Sequence, residues 1–578
     1  MCGICGFTHT KNGDINTLKL MQKQMTHRGP DSMRSLHQNN AFIGFNRLSI
    51  IDLSDHAMQP MYAKEQGITL SFNGEIYNFQ TLRLNLEKKG YNFNSQGDAE
   101  VLLYTYLEFG LEETLQKING MFAISIYHEK EDKLILARDR MGKKPLYYQY
   151  FNKALIYASE LNVLQKHPDF INELEPQNAH QYFIFSGLPA PYTMYKNIHK
   201  LKAGHYLIFE KGNIKIKKYW ELNYLHKNQN ITQNEASEQF HELLSDSFSI
   251  RKYADVPKAL YLSGGIDSTI LSKLFFDQKL PITCISSTFE NKKANEEKYI
   301  DEVLKKYHFN SKKLQIKLPH EEMIEMLTNL DEPFADPAIL PMIQMSKLVS
   351  DLGYKVVFTG DGGDELLGGY HSKADYSYKL QWLYKTMTPH NIHHKNFKVL
   401  KYLNPKYKSI YGFMKHRLKL VEHTPYLNLI DETLEPIISK TNSYLEFKQL
   451  YSVFNMQNNY NYKTDRGTMA HSLEARSPLQ DYRLYDFIST LPVSYYSNVK
   501  KRGKIFLKDK LEEDFPSSFV YRKKQGFGVP IGDYLKNQPI EEYIKIAMDY
   551  LNIPYVKNLY EDTQYNLFTL GLWLKNNA

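Results

Sequence analysis

Apolar positions along this chain follow two different periods. Phe122, Ile124 and Ile126 alternate with small or polar neighbours, as do Leu134 and Leu136, and a period of two predicts antiparallel sheet strands. A helical spacing at Leu18, Met21 and Met25 precedes them, and strand-like Ile214, Ile216, Tyr219 and Trp220 close the region. Further on the order changes. Phe240, Leu243, Leu244 and Phe248 supply one helical face, preceded by Thr232 and Glu235 at capping-box spacing. Next, the run Ala259-Leu260-Tyr261-Leu262 breaks at Ser263-Gly264-Gly265 and resumes at Ile270, Leu271, Leu274 and Phe275, which predicts strand, tight loop and helix. Strand-like runs at 282–288 and 355–358 alternate with helical segments, the pattern of a parallel sheet covered by helices.

The change of period predicts two domains, residues 1–222 and 223–578, with the polar run 226–230 as linker. Such a chain is too long for a single core. Its 42% hydrophobic content is that of a folded protein, and no run approaches the roughly 18 apolar residues of a membrane span. The first residues lack the basic and apolar regions of an export signal. Cys2, Cys5 and Cys284 supply neither a disulfide framework nor paired zinc spacing. Both features predict a cytoplasmic protein without a membrane partner. A net charge of +8, dispersed among Asp and Glu, suits anionic substrates and does not outline a nucleic-acid surface.

The loop Ser263-Gly264-Gly265-Ile266-Asp267-Ser268 has the makings of a phosphate cradle. Its glycines let backbone N–H groups approach an anion, and Ser263, Ser268 and the new helix N-terminus add donors. No Lys follows the glycines, and Asp267 would repel phosphate unless Mg2+ lies between them. The run 355–358 leads into Thr359-Gly360-Asp361-Gly362-Gly363-Asp364-Glu365, whose carboxylates also call for a cation. At the other end of the chain, removal of the initiator Met would leave Cys2 with a thiol and a free α-amine, a nucleophile carrying its own base.

Cys2-Gly3-Ile4-Cys5-Gly6-Phe7, His27-Arg28-Gly29-Pro30-Asp31, Asn46-Arg47-Leu48-Ser49-Ile50-Ile51-Asp52, Asn73-Gly74-Glu75-Ile76-Tyr77-Asn78 and Gly97-Asp98-Ala99-Glu100 closely resemble the glutaminase domain of the N-terminal-nucleophile (Ntn) amidotransferases. The two glycine-rich loops, with Leu330-Asp331-Glu332-Pro333, Thr464-Asp465-Arg466 and Tyr521-Arg522-Lys523-Lys524, resemble the synthetase domain of the asparagine synthetases. The resemblance implies an N-terminal α+β Ntn-hydrolase sandwich and a C-terminal α/β parallel sheet of the ATP pyrophosphatase (adenine nucleotide alpha hydrolase-like) type. It implies an ATP-dependent enzyme taking glutamine, aspartate and ATP with Mg2+, and leaves a homodimer among the assemblies to test.

By the same resemblance, Asn73 and the Gly74 N–H, set in an Asn-Gly tight turn, form an oxyanion hole. Arg47, Leu48, Ile51, Glu75 and Asp98 hold glutamine, with Arg47 on its carboxylate and Asp98 near its ammonium. Tyr261, Leu262, Ser263, Gly264, Gly265, Ile266, Asp267, Ser268, Thr288, Thr359 and Gly360 hold ATP; Asp267 and Asp364 bind the metal; and Lys524 stabilises the adenylated intermediate. Residues 375–450 match none of these motifs and are expected to be helical and accessory. One position departs from the pattern: Asp361 stands where a branch of the family has Glu, the residue thought to help deprotonate ammonia. This shortens the carboxylate's reach by one methylene and opens a second expectation, amidation of a uronic-acid sugar or another carboxylate.

Overall fold

The computed structural model describes residues 2–228, 230–291, 295–377, 417, 420, 428–522, 529–536, 538–556 and 559–577. The first unit is a two-layer antiparallel sandwich. Its strands are β1 (Gly3–Thr8), β2 (Ser32–Gln38), β3 (Ala41–Arg47), β4 (Met61–Ala63), β5 (Ile68–Ile76), β6 (Gly120–His128), β7 (Lys133–Arg138), β8 (Tyr147–Phe151), β9 (Ala154–Ala158), β10 (Ile198–Lys200), β11 (His205–Glu210) and β12 (Asn213–Lys218). They form two six-stranded sheets, ordered β10-β8-β9-β1-β3-β2 and β12-β11-β7-β6-β5-β4. The alternation in β6 sorts its side chains. Phe122, Ile124 and Ile126 pack with Val101 and Leu102 of the helix Asp98–Lys117, while Ala123 and Tyr127 face Ile4 and Phe45 of the other sheet.

The second unit begins with the helix Gln233–Arg251. Its capping box is formed as expected, with Thr232 Oγ1 accepting from the Glu235 N–H and Glu235 reaching back to the Thr232 N–H. Five strands follow, β13 (Lys258–Tyr261), β14 (Thr283–Thr288), β15 (Asn310–Gln315), β16 (Val356–Phe358) and β17 (Glu474–Arg476). All are parallel, in the order β15-β14-β13-β16-β17. The chain leaves β13 toward one edge and returns to build the other from β16, so the order reverses between these two neighbours. A crevice opens at such a point, beyond the carboxyl ends of the strands, and both glycine-rich loops emerge there.

The two units share one continuous apolar core, in which Met21, Met141 and Phe183 belong to the same cluster as Leu260, Val357 and Phe568. The helix Pro176–Phe185 packs on the helix Glu561–Asn577, where the Tyr182 hydroxyl donates to the Asn566 carbonyl at 3.0 Å. Most of residues 375–450 lies outside the described residues; 428–438 form a helix within them.

Candidate active sites

Cys2 stands immediately before β1, its thiol donating to the Leu48 carbonyl at 3.8 Å. Burial pushes the thiol up to about 11; Glu75 and Glu474 push the same way, while the positive amino terminus opposes them. The expected tight turn at Asn73-Gly74 is not formed. Both residues lie inside β5, paired with Ala123 and Phe122 of β6. An Asn-Gly pair reads locally as a turn, and nine residues of strand pairing override it. The glycine is still required: its φ is +148°, and a Cβ would lie 1.9 Å from the Met121 carbonyl oxygen. Asn73 is fully buried with its Nδ2 3.5 Å from Ser159 Oγ.

Arg47 ends β3 and folds its guanidinium onto the loop that follows, donating to the Ser54 carbonyl at 2.7 Å and to the Asp52 carbonyl. Leu48 is buried there, and Ile51 packs against both cores. Asp52, absent from the expected site residues, organises this loop. One oxygen accepts from the Ser54 N–H and hydroxyl, and the other accepts from the Gln96 N–H at 2.6 Å, tying the loop to the start of the Asp98 helix. Asp98 accepts from the Ile76 N–H at 2.8 Å, and burial raises its carboxyl to about 6. Glu75 is held well above the carboxylate range by burial and by Glu474 and Asp98, against the pull of Arg476 3.4 Å away. Arg476 also bonds Glu474 at 2.6 Å, so β17, in the parallel sheet of the second unit, supplies an arginine and a glutamate to the rim of the first site.

Side chains from both units interlock between the sites. Arg28 is fully buried and bonds Asp465 through two nitrogens at 2.8 and 2.9 Å and Glu160 at 2.8 Å, while its Nε donates to the Cys2 carbonyl at 3.4 Å. Asp465 lies on the helix Asn461–Met469, and its neighbour on that helix, Thr464, donates to Asp361 Oδ2 at 2.9 Å. Asp331 and Glu332 face the first unit: Asp331 accepts from the Leu161 N–H at 2.8 Å, and Glu332 meets Lys200 and the Tyr147 hydroxyl, both at 2.7 Å.

The second site is a cavity of about 1040 Å³ at the reversal of strand order. Tyr261, Leu262, Ser263, Gly265, Ile266, Asp267, Ser268, Thr359, Gly360, Asp361 and Asp364 line it together, with apolar Ile285, Met342 and Met345. Gly264 faces away, toward Tyr299, and its carbonyl accepts from Arg522. Thr288, at the end of β14, turns its hydroxyl to the Leu314 carbonyl at 3.4 Å and does not line the cavity, whereas Ser287 does. Gly363 lets the acidic loop close on Asp267, since a Cβ there would fall 2.2 Å from Asp267 Oδ1. Asp361 accepts from the Thr359 and Thr464 hydroxyls, both at 2.9 Å. Lys524 lies outside the described residues.

Lys504 was not anticipated. Its ammonium sits between Asp267, at 2.5 Å, and Asp364, at 2.7 Å. Burial lowers its proton affinity, yet the two carboxylates more than offset this and hold it above the usual lysine range. Two carboxylates that already share one cation have the charge and spacing to share a divalent ion, and Mg2+ typically takes only one or two carboxylates alongside substrate phosphates. The basic run Lys500-Lys501-Arg502-Gly503-Lys504 was the available signal. What conceals the pairing is the 237-residue separation of Lys504 from Asp267.

Residues 1–220 match the glutamine amidotransferase domain family, and residues 239–568 match the asparagine synthase family. Asparagine synthetase [glutamine-hydrolyzing] 1 of Bacillus subtilis is 30% identical over 97% of this chain and 93% of its own length. Asparagine synthetases 3 and 2 of the same organism are 26% and 28% identical, each over 91% of this chain and over 87% and 72% of their own lengths.

Proposed function

The chain belongs to the asparagine synthase family, with a glutamine amidotransferase domain ahead of the synthase domain, and on that premise we propose that it is a glutamine-dependent asparagine synthetase. In this reading the glutaminase domain is 1–222 and the synthetase domain 223–578. The Cys2 thiol, relieved of its proton by the α-amine that Met1 removal exposes, attacks the side-chain amide of glutamine. Asn73 and the Gly74 N–H receive the oxyanion, and Arg47, Leu48, Ile51, Glu75 and Asp98 hold the amino acid. Ammonia leaves, and water then releases glutamate from the thioester.

In the second cavity the aspartate side-chain carboxylate attacks the α-phosphorus of ATP and pyrophosphate departs. Activation is needed because carboxylate oxygen is a poor leaving group. Asp267 and Asp364 would hold Mg2+, which when bound neutralises pyrophosphate charge. Ammonia attacks the acyl carbon, Asp361 takes the proton, Lys524 steadies the developing charge, and AMP is expelled. A cytoplasmic setting and a homodimer, with neither nucleic acid nor membrane as partner, complete the reading. No described helix is long and apolar enough to cross a membrane.

The observation that carries the reading is the shared helix Asn461–Met469. Its Thr464 bonds Asp361, and its Asp465 bonds the arginine that reaches Cys2. Two half-reactions that exchange ammonia need such adjacency. The test incubates the full chain with amide-15N glutamine, Mg-ATP and a panel of carboxylates, and identifies the labelled amide by mass spectrometry. Labelled asparagine is expected. A labelled uronamide in its place would keep the mechanism and replace the acceptor, the outcome raised by Asp361.

A further inference from the structure

Lys143 is a buried amine to which the reaction just described gives no task. Its loop is held rigidly. Asp139 accepts from the N–H groups of Met141, Lys143 and Lys144 at 2.9–3.0 Å. The synthetase domain grips the same loop: Asn461 Nδ2 donates to the Met141 carbonyl at 2.8 Å, and Gln457 Nε2 donates to that of Arg140 at 3.2 Å. Lys143 is only 9% exposed, and among the described residues its Nζ has no hydrogen-bond partner. It lines a cavity of about 20 Å³ between the domains, with Tyr147 and Lys200 on one side and Asn461, Tyr462 and Asp465 on the other. A space above about 10–15 Å³ admits one water-sized molecule, and ammonia is of that size.

Resting on the two-site reading, we propose that Lys143 is a positioning residue on the ammonia route, its buried amine offering a hydrogen-bond partner to ammonia between Cys2 and Asp361 while the cations around it turn ammonium back. Ammonia keeps its three hydrogens throughout. It donates one N–H to the lysine lone pair, and no proton changes hands. Burial lowers Lys143 to about 7; the Arg251 and Lys144 charges act in the same direction, and Asp139 and Asp361 oppose them. Arg251 comes from the first helix of the synthetase domain and Asp361 from its acidic loop, so charges of both signs bear on the amine from that side. Once protonated, Lys143 has no lone pair. It then donates to the electron pair that ammonia needs for attack, and detains it.

The experiment supplies amide-15N glutamine, aspartate, Mg-ATP and unlabelled ammonium chloride, scaled at each pH to hold free ammonia constant, to the wild type, Lys143→Met and Lys143→Arg, from pH 6 to pH 8. It reads 15N-asparagine formed per glutamate released. The neutral fraction of a group near pH 7 rises about tenfold over this range, so a rise of several-fold, up to tenfold, is expected for the wild type. Lys143→Met should give a flat profile, and Lys143→Arg a low ratio at every pH, with glutaminase and ammonia-dependent synthesis within about twofold of wild type. A flat wild-type profile overturns the proposal and needs no variant to fold. A Lys143→Met profile that rises like the wild type overturns it equally. Absence of labelled asparagine from the wild type at every pH, with glutamate still released, would instead strike at the aspartate acceptor.

Discussion

Replacing Lys504 by Met tests whether Asp267 and Asp364 form a site built to share one cation. Each carboxylate oxygen contacts the same nitrogen, at 2.5 and 2.7 Å, so the two oxygens lie within about 5 Å of each other. Unit charges at that spacing repel by about 3 kcal/mol at an effective dielectric constant near 20. Removing one partner of a buried ion pair typically costs about 3–5 kcal/mol, so the two routes agree. The free protein should therefore lose about 3 kcal/mol and melt roughly 2–4 °C lower, given the size of the cooperative unit. Mg-ATP should restore most of that loss, because it brings a cation to the same carboxylates, and should raise the melting temperature of Lys504→Met more than that of the wild type. Differential scanning fluorimetry with and without Mg-ATP reads both numbers. An equal nucleotide shift in the two proteins would refute the shared-cation argument, as would a variant as stable as wild type in the absence of nucleotide.

Cys2→Ala should abolish glutamine-dependent synthesis and leave ammonia-dependent synthesis intact, measured as asparagine formed from each nitrogen source. Asp267→Asn and Asp364→Asn should each remove pyrophosphate release with either source, and near-normal release in both would move the nucleotide site elsewhere. Asp361→Glu should retain asparagine synthesis, whereas Asp361→Asn should lower it by about 100-fold to 10,000-fold, the usual worth of a general base, while aspartate-dependent pyrophosphate release continues.

Local features of this fold were readable before any coordinates. The strand, loop and helix around Ser263 are encoded within about twenty residues, and the Thr232–Glu235 box closes over four. Edge strands were harder. β15, Asn-Ser-Lys-Lys-Leu-Gln, is mostly exposed and polar, and β17 is three residues long and carries a buried glutamate and arginine; neither shows an apolar run. The Asn73-Gly74 pair misled because its immediate sequence favours a turn while its partners in β6 are fifty residues away. Lys504, Asp52 and the interface roles of Asp331 and Glu332 share one reason for escaping notice. A charged side chain shows its purpose only when the groups it meets are known, and each of these has at least one partner on another element or in the other domain.

The ion pairs at the junction bear on engineering. The amidotransferase and synthase domains look like cassettes that could be exchanged among relatives, since each has its own sheet structure. Yet Arg28 is committed to Asp465 and Lys200 to Glu332, each acid lying at least 98% out of solvent at its side chain. A chimaera that replaced the first domain with one lacking those two cations would strand Glu332 uncompensated in the interior, at several kcal/mol, and leave Asp465 with its neighbour Arg466 alone. The unit of exchange is therefore a domain together with four side chains, two on each side of the seam.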